Sequence, residues 1–330
     1  MLIKFLINCS IWFQRLFKAK HYSCINISQA YLIWDRDYDR VIRDYYQYVN
    51  SLLMNALVEI HSPCLILLDS SGFSWLKIFL PIRKIVFQIE HTLVKPGARD
   101  CEGVLLGQIF IPGTSNKYLV RVVNFSKLQS ADVVIEYSRI NQFHVKQIPE
   151  LATYASKVFC ISPSLYPLLE NSLARSSGRE INTITLFGNP NEPRRKRFLK
   201  TLALLKVDSQ NINNIFDDIE NLYRQTKILI NIRQTDHHDT LEELRVLPAL
   251  RCGVIVISER SPLVEKTYYS KYIIWGELED LPGLVLEVQK NYELWHKKIF
   301  DNAGFIRRMQ RISRCNELVS LRAVQFLNGL

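Results

Sequence analysis

The sequence has no apolar run long enough to cross a bilayer as a helix. It contains no C-x-x-C pair. Its seven cysteines, Cys9, Cys24, Cys64, Cys101, Cys160, Cys252 and Cys315, are odd in number and irregularly spaced, so a disulfide framework or a thiolate zinc site is a poor fit. Free thiols in a reducing compartment, and hence a cytoplasmic protein, are the expectation. There are no internal repeats and no low-complexity tracts. Residues 1–34 contain no acidic side chain, although Lys4, Arg15, Lys18 and Lys20 lie among them. No small-residue cleavage site follows this apolar start and its basic groups do not precede it, so a signal peptide fits poorly.

What is present is a chain of 330 residues, 48% hydrophobic, 22% charged and 11% aromatic, enough for one large or two ordinary domains with real cores and too apolar for disorder. The net charge is +10, which suits phosphorylated ligands, nucleic acid or an anionic membrane. The charge is clustered: residues 190–206 hold six basic groups against Glu192, and residues 290–330 hold eight against three acids. Leu2, Phe5, Leu6, Cys9, Trp12, Phe13, Leu16 and Phe17 share one side of a helix, consistent with an amphipathic helix on a membrane surface. The alternative is a strand at LIKFLI followed by a helix.

The most informative stretch is 226–259, TKILINIRQTDHHDTLEELRVLPALRCGVIVISE. Residues 227–232 are apolar and β-branched, as in a strand buried on both faces. Thr240 and Glu243 have capping-box spacing, and Leu241, Leu244, Leu247 and Leu250 continue as a helical stripe. Pro248 predicts a bend or an end near Leu244, and Gly253 a left-handed stop. Residues 254–257 form a second buried strand. The whole reads as a right-handed βαβ unit, whose ligand edge is the loop and helix start after the first strand. Arg233 and Arg245 would meet an anion there, and Glu242 and Glu243 would bind sugar or ribose hydroxyls or simply cap the helix.

A second strand-to-helix loop follows 181–187. Gly188, Asn189 and Pro190 lead into Arg194, Arg195 and Lys196, where a helix start and forked guanidinium groups suit a diphosphate; a solvated basic face or a nucleic-acid patch are the alternatives. In the first half, a strand at 83–89 ends in Glu90 and His91, a candidate acid/base pair. A strand at 133–135 ends in Glu136 and Tyr137, with Asn141 nearby. Helices are read at 38–60, 279–290 and 293–327, the last broken at Gly304, and 118–123 as a strand. The polar, Ser- and Arg-rich stretch 170–181 reads as a linker. Asp35-Arg36-Asp37 and His237-His238-Asp239 are weak metal signals in loops.

The run ILINIRQTDHHDTLEELRVLPALRCGVIVISE resembles the donor-binding half of GT-B glycosyltransferases, with their strand, E-x-x-R helix, small-Cys-Gly turn, strand and Ser-Glu end. QIEHT and KPGAR at 88–99, and IEYS with Asn141, are similar to segments of the first half of those enzymes. The sequence departs from their retaining subset: Thr240 and Pro248 stand where that subset has two glutamates eight positions apart. The resemblance implies an α/β fold of two Rossmann-like domains facing across a cleft, with an acceptor-binding domain at 1–175 and a donor domain at 180–330, and the last helix crossing back. It implies transfer of a sugar from a nucleotide-sugar donor to a glycan, a lipid-linked or another hydroxyl acceptor, as in polysaccharide biosynthesis. His91 or Glu90 would take the acceptor proton if the enzyme inverts. Gly188, Asn189, Arg194, Arg195, Lys196, Asn231, Arg233, Glu242, Glu243, Arg245, Ser258 and Glu259 would bind the donor. Glu136, Tyr137 and Asn141 would bind the acceptor. No metal or other cofactor is required in this reading, and nucleic acid is not an expected partner. A basic non-enzymatic binder of nucleic acid or membrane, a nucleotide-sugar epimerase of the same architecture and a catalytically silent donor-binding member are the alternatives.

Overall fold

The computed structural model describes residues 2–38, 40–95, 97, 111–112, 119–120, 122, 125–169, 173, 177–213, 215 and 217–329. In the first half, α1 (Leu2–Lys18) precedes a hairpin, β1 (Tyr22–Ile27) and β2 (Ala30–Asp35). Then come α2 (Arg43–Ala56), β3 (Cys64–Leu68) and β4 (Ile82–Gln88). Three short strands, β5 (Leu93–Val94), β6 (Ile111–Pro112) and β7 (Leu119–Val120), pair antiparallel beside them. The half closes with α3 (Phe125–Gln129), β8 (Val133–Glu136), α4 (Arg139–Lys146), α5 (Ala152–Ala155) and β9 (Val158–Cys160). Its main sheet has the order β1-β2-β3-β4-β8-β9 and is parallel except for β1.

The second half contains β10 (Ile181–Thr185), α6 (Pro193–Leu204), β11 (Gln210–Asn211), α7 (Ile219–Gln225), β12 (Thr226–Asn231), α8 (Glu243–Arg251), β13 (Ile255–Glu259) and β14 (Ile274–Gly276). Three helices follow: α9 (Leu281–Lys290), α10 (Tyr292–Phe300) and α11 (Ala303–Asn328). Its five strands run β11-β10-β12-β13-β14 and are all parallel. The chain is therefore α/β with two Rossmann-like halves, and β12-α8-β13 is the βαβ unit read from the sequence. The middle residues of β12, 228–230, and the first of β13, 255–257, are apolar and buried, as expected where helices cover both faces of a parallel sheet.

Helix α11 joins the two cores. Phe305, Met309 and Ile312 pack in the second half, whereas Ala323, Val324 and Leu327 pack with Tyr45, Leu53 and Ile66 in the first. Between these ends, buried Asn316 accepts from the Ser162 amide at 3.0 Å and donates to the Ser162 carbonyl at 2.7 Å. Arg179, in the stretch read as a linker, is buried and donates to the carbonyls of Tyr223, Thr226 and Cys252 at 3.0, 2.7 and 2.6 Å. Residues 170–172 and 174–176 of that stretch lie outside the described residues, as do 118, 121 and 123 of the strand read at 118–123 and most of the Gly-rich turn after Lys95.

Several local expectations change. The N-terminal stretch is a helix, not a strand, and the β1 edge strand was not foreseen from its mixed pattern. The helix read at 38–60 has its α-helical part at Arg43–Ala56, flanked by 3-10 turns. Helix α8 starts two residues later than the capping box places it, because the Thr240 hydroxyl turns to His91 and Glu243 N–H bonds the Leu241 carbonyl at 2.9 Å. It also runs through Pro248 to Arg251 without ending: the missing N–H forfeits one bond, while six of its last residues are buried and hold it in place. The C-terminal helix breaks at Asn302, whose side chain caps Gly304 N–H at 2.7 Å, rather than at the glycine itself. Gly253 does close α8, at φ +80°.

Candidate functional site

The carboxyl ends of β4 and β12 lie on facing halves, and the segments that follow them touch. Val94 and His238 form an antiparallel bridge, Lys95 N–H bonds the His237 carbonyl at 3.0 Å, and Asp239 N–H approaches the Leu93 carbonyl at 3.4 Å. This backbone seam brings His91 of the first half onto the start of α8 in the second. His91 Nε2 lies 3.2 Å from Glu242 Oε2. Its Nδ1 faces the Thr240 hydroxyl and, at 3.4 Å, the Tyr137 hydroxyl. With Nε2–H donating to the carboxylate, Nδ1 is the acceptor, so the two hydroxyls occupy the face where an incoming hydroxyl would be deprotonated.

The adjacent carboxylates are driven apart. Burial opposes ionisation of Glu242, but His91 and Arg245 outweigh it and hold the carboxyl down to about 2. Glu243 is 1% exposed. Burial pushes it up to about 7, against the opposing effect of hydrogen bonds from the Ser138 hydroxyl at 2.7 Å and the Tyr269 hydroxyl at 2.9 Å. Because Ser138 belongs to the first half and Tyr269 to the second, Glu243 is a buried clamp between them.

The basic loop divides into two roles. Arg194 is buried and binds Glu259 with both terminal nitrogens, at 2.7 Å for Nη1–Oε2, and Asp236 through Nε at 2.6 Å. Arg233 adds Nε–Oε1 at 2.7 Å to the same Glu259 and reaches Asp239, which Lys95 also approaches at 3.7 Å. Two guanidinium groups thus hold one carboxylate, and they keep Glu259 below the usual carboxylate range despite its burial. Arg195 is different. It lies 4.9 Å over the Phe187 ring, its Nε has no hydrogen-bond partner, and burial and the repulsion of Arg245 lower its guanidinium to about 10. The N–H groups of Arg194 and Arg195 point to the Glu192 carboxylate at 3.0 and 3.4 Å, so the start of α6 carries its own anion. Arg245 lines a mainly apolar cavity of about 150 Å³ with Val41, Leu186, Gly188, Ile212 and Ile215.

The structure brings His91, Glu242, Glu243, Arg195 and Arg245 into one region. It does not leave every residue of the sequence reading free to meet a ligand. Arg194, Arg233 and Glu259 are engaged with one another. Asn231 donates to Ser258 Oγ at 3.0 Å, and both are buried. Gly188, Asn189 and Lys196 are exposed at the loop and the first turn of α6. Glu136 is buried and accepts from Ser138 N–H at 3.0 Å and Asn141 Nδ2 at 3.1 Å; burial raises it well above the usual carboxylate range. The Tyr137 ring is fully buried, so it has no face for a sugar, and its hydroxyl is the part that reaches His91. Glu90 is exposed, and its carbonyl accepts from Asn141 at 3.2 Å. The weak metal signals resolve into ordinary contacts: Lys20 meets Asp35, His21 meets Asp37, and Arg233 and Lys95 meet Asp239.

Thr240, Ser138 and Tyr269 complete the site without a sequence signal for it: Thr240 has the spacing of a cap, and nothing in the sequence near Tyr269 signals a contact with Glu243. The six described cysteines are free thiols, and Cys101 lies outside the described residues.

No protein-family model matches the chain. An uncharacterized protein of Acanthamoeba polyphaga mimivirus is 28% identical over 137 residues, which is 40% of this chain and 49% of that protein, so the match spans about half of the relative's length. Sucrose-phosphate synthase from Thermosynechococcus elongatus is a structural neighbour at TM-score 0.46 and 11% identity, covering 87% of this chain and 79% of its own. A second is the spinosyn rhamnosyltransferase SpnG complexed with spinosyn aglycone, at TM-score 0.31 and 10% identity, covering 88% and 84%. Both scores are below 0.5, and the fold assignment rests on the two parallel sheets described above.

Proposed function

We propose that this chain transfers a glycosyl group from a nucleotide-sugar donor to a hydroxyl acceptor. The observation that carries the reading is the juxtaposition of a carboxylate-held imidazole, His91 with Glu242, and the under-compensated cations Arg195 and Arg245 across the contact of two parallel sheets. In this reading the acceptor hydroxyl displaces Thr240 or Tyr137 from Nδ1 of His91. Its oxygen bonds the anomeric carbon as the bond to the diphosphate oxygen breaks, and His91 takes the hydroxyl proton. Glu242, ionised at neutral pH, stabilises the imidazolium. Arg195 and Arg245 take the charge that develops on the leaving diphosphate. The apolar cavity beside Arg245 would receive the base. A base on the acceptor side corresponds to inversion, in keeping with the absence of the paired glutamates at 240 and 248.

The test is thermal unfolding with nucleoside diphosphates and nucleotide sugars, for the wild type, Arg195→Ala and Arg245→Gln. A nucleotide at a hundred times its dissociation constant adds about 2.7 kcal/mol to stability, and both variants should lose that shift. With the donor so identified, His91→Gln should lower turnover by about 10²- to 10⁴-fold. If no nucleotide shifts the wild type while nucleic acid binds it in a steeply salt-dependent way, the protein is a basic binding protein and not a transferase. Conversion of the nucleotide sugar without an acceptor would instead identify an epimerase.

A further inference from the structure

Helix α1 buries only part of its apolar surface: Ile3, Leu6 and Ile11 pack, half-buried, around buried Ile7. It meets the sheet through Ile7, Ser10 and Gln14, which are buried, with Gln14 donating to the Gly72 carbonyl at 2.9 Å. Leu2, Phe5, Trp12, Phe13, Leu16 and Phe17 point outward and are 50–67% exposed. The 3-10 turn Ser74–Ile78 lies beside this helix, because Phe73 and Leu76 share a buried cluster with Ile7. That turn adds Trp75, Ile78 and Phe79, at 45%, 82% and 47% exposure, to the same surface. Every exposed Phe and Trp among the described residues belongs to these two elements. The patch is also of one charge: Lys4, Arg15, Lys18 and Lys77 are exposed on the two elements, and neither contains an acid.

We propose that this face docks on an anionic lipid surface, with α1 lying in the plane of the interface. The helix is about 25 Å long at 1.5 Å per residue, and among the described residues no helix is long and apolar enough to cross a membrane. Aromatic and leucine side chains on one face, with lysine and arginine as the only charged neighbours on the two elements, match the headgroup and acyl boundary of an anionic leaflet. Charge complementarity selects lipid over a second copy of the chain: two such faces would bring their like charges together. The docking stands independently of glycosyl transfer, since it uses no residue of the His91 site.

The experiment is co-sedimentation of the full chain with vesicles of phosphatidylcholine alone, and of phosphatidylcholine with phosphatidylglycerol in about a three-to-one ratio. The wild type should sediment with the anionic vesicles and far less with the neutral ones. The triple variant Trp12→Ser, Phe13→Ser, Phe17→Ser should bind about tenfold or more weakly. Lys4→Gln, Arg15→Gln and Lys18→Gln should weaken binding about fivefold for each charge removed. Brominated lipid should quench tryptophan fluorescence in the wild type, less in Trp12→Phe, and unchanged in Trp295→Phe. All the α1 positions replaced are exposed, so unchanged thermal unfolding separates lost docking from lost fold. Failure of the wild type to bind anionic vesicles, or equal binding by the triple variant, overturns the proposal. So does a wild-type dimer in sedimentation that the triple variant abolishes while no vesicle is bound, which would assign the face to a second copy.

Discussion

Replacing Glu243 by glutamine should change the pH dependence of stability in a calculable way. The carboxyl is buried and titrates at about 7, against an ordinary value of 4.5. Between these values the folded protein holds a proton that the unfolded chain has released, so rising pH favours unfolding. The difference, at about 1.4 kcal/mol per pH unit, is roughly 3 kcal/mol. This stabilisation is fully present below pH 4.5 and is gone once the pH has passed 7. Glutamine resembles the protonated acid in shape and has no charge to bury. Like the protonated acid, it presents one acceptor oxygen and one donor group to the Ser138 and Tyr269 hydroxyls, and a mismatch in those two bonds costs at most about 1 kcal/mol. Glu243→Gln should therefore be within about 1 kcal/mol of the wild type near pH 4.5 and about 2–3 kcal/mol more stable at pH 8. Urea unfolding of both proteins across that range, at constant denaturant slope, measures it. Two parallel stability curves would refute the assignment of the elevated group to Glu243.

Other buried contacts make equally direct predictions. Glu259→Gln leaves Arg194 and Arg233 facing each other without their shared anion and should lower urea stability by about 3–5 kcal/mol; a loss under about 1 kcal/mol would mean that the network is solvated. Gly253→Ala places a Cβ against the Arg179 guanidinium at a backbone φ of +80°, and should lower stability by about 1–3 kcal/mol in thermal unfolding, with no change if α8 can end in another conformation.

The βαβ unit was legible because its signals are local. Four to six consecutive apolar residues, a glycine at the turn and a stripe of leucines each restrict the backbone wherever they occur, and β12, α8 and β13 formed where those signals lie. The ends of β4 and β8 were legible for the same reason. The N-terminal stretch was less so: its apolar pattern suits a helix with either face inward, and only the packing of Ile7, Ser10 and Gln14 chose the face.

Position in three dimensions decided what each charged residue does. Arg194 and Arg195 are neighbours in sequence and looked interchangeable as phosphate ligands, yet successive helical residues point about 100° apart. One meets Glu259 and Asp236; the other lies over Phe187 beside Arg245. Glu242 and Glu243 diverge in the same way, one toward His91 and the other into a dry contact between Ser138 and Tyr269. The sequence by itself determined that two parallel sheets would form and which strand ends would carry polar groups. Only the tertiary structure decided which of those groups neutralise one another and which remain available, because charge and burial depend on partners that lie on other elements, from 26 to more than a hundred residues away in sequence.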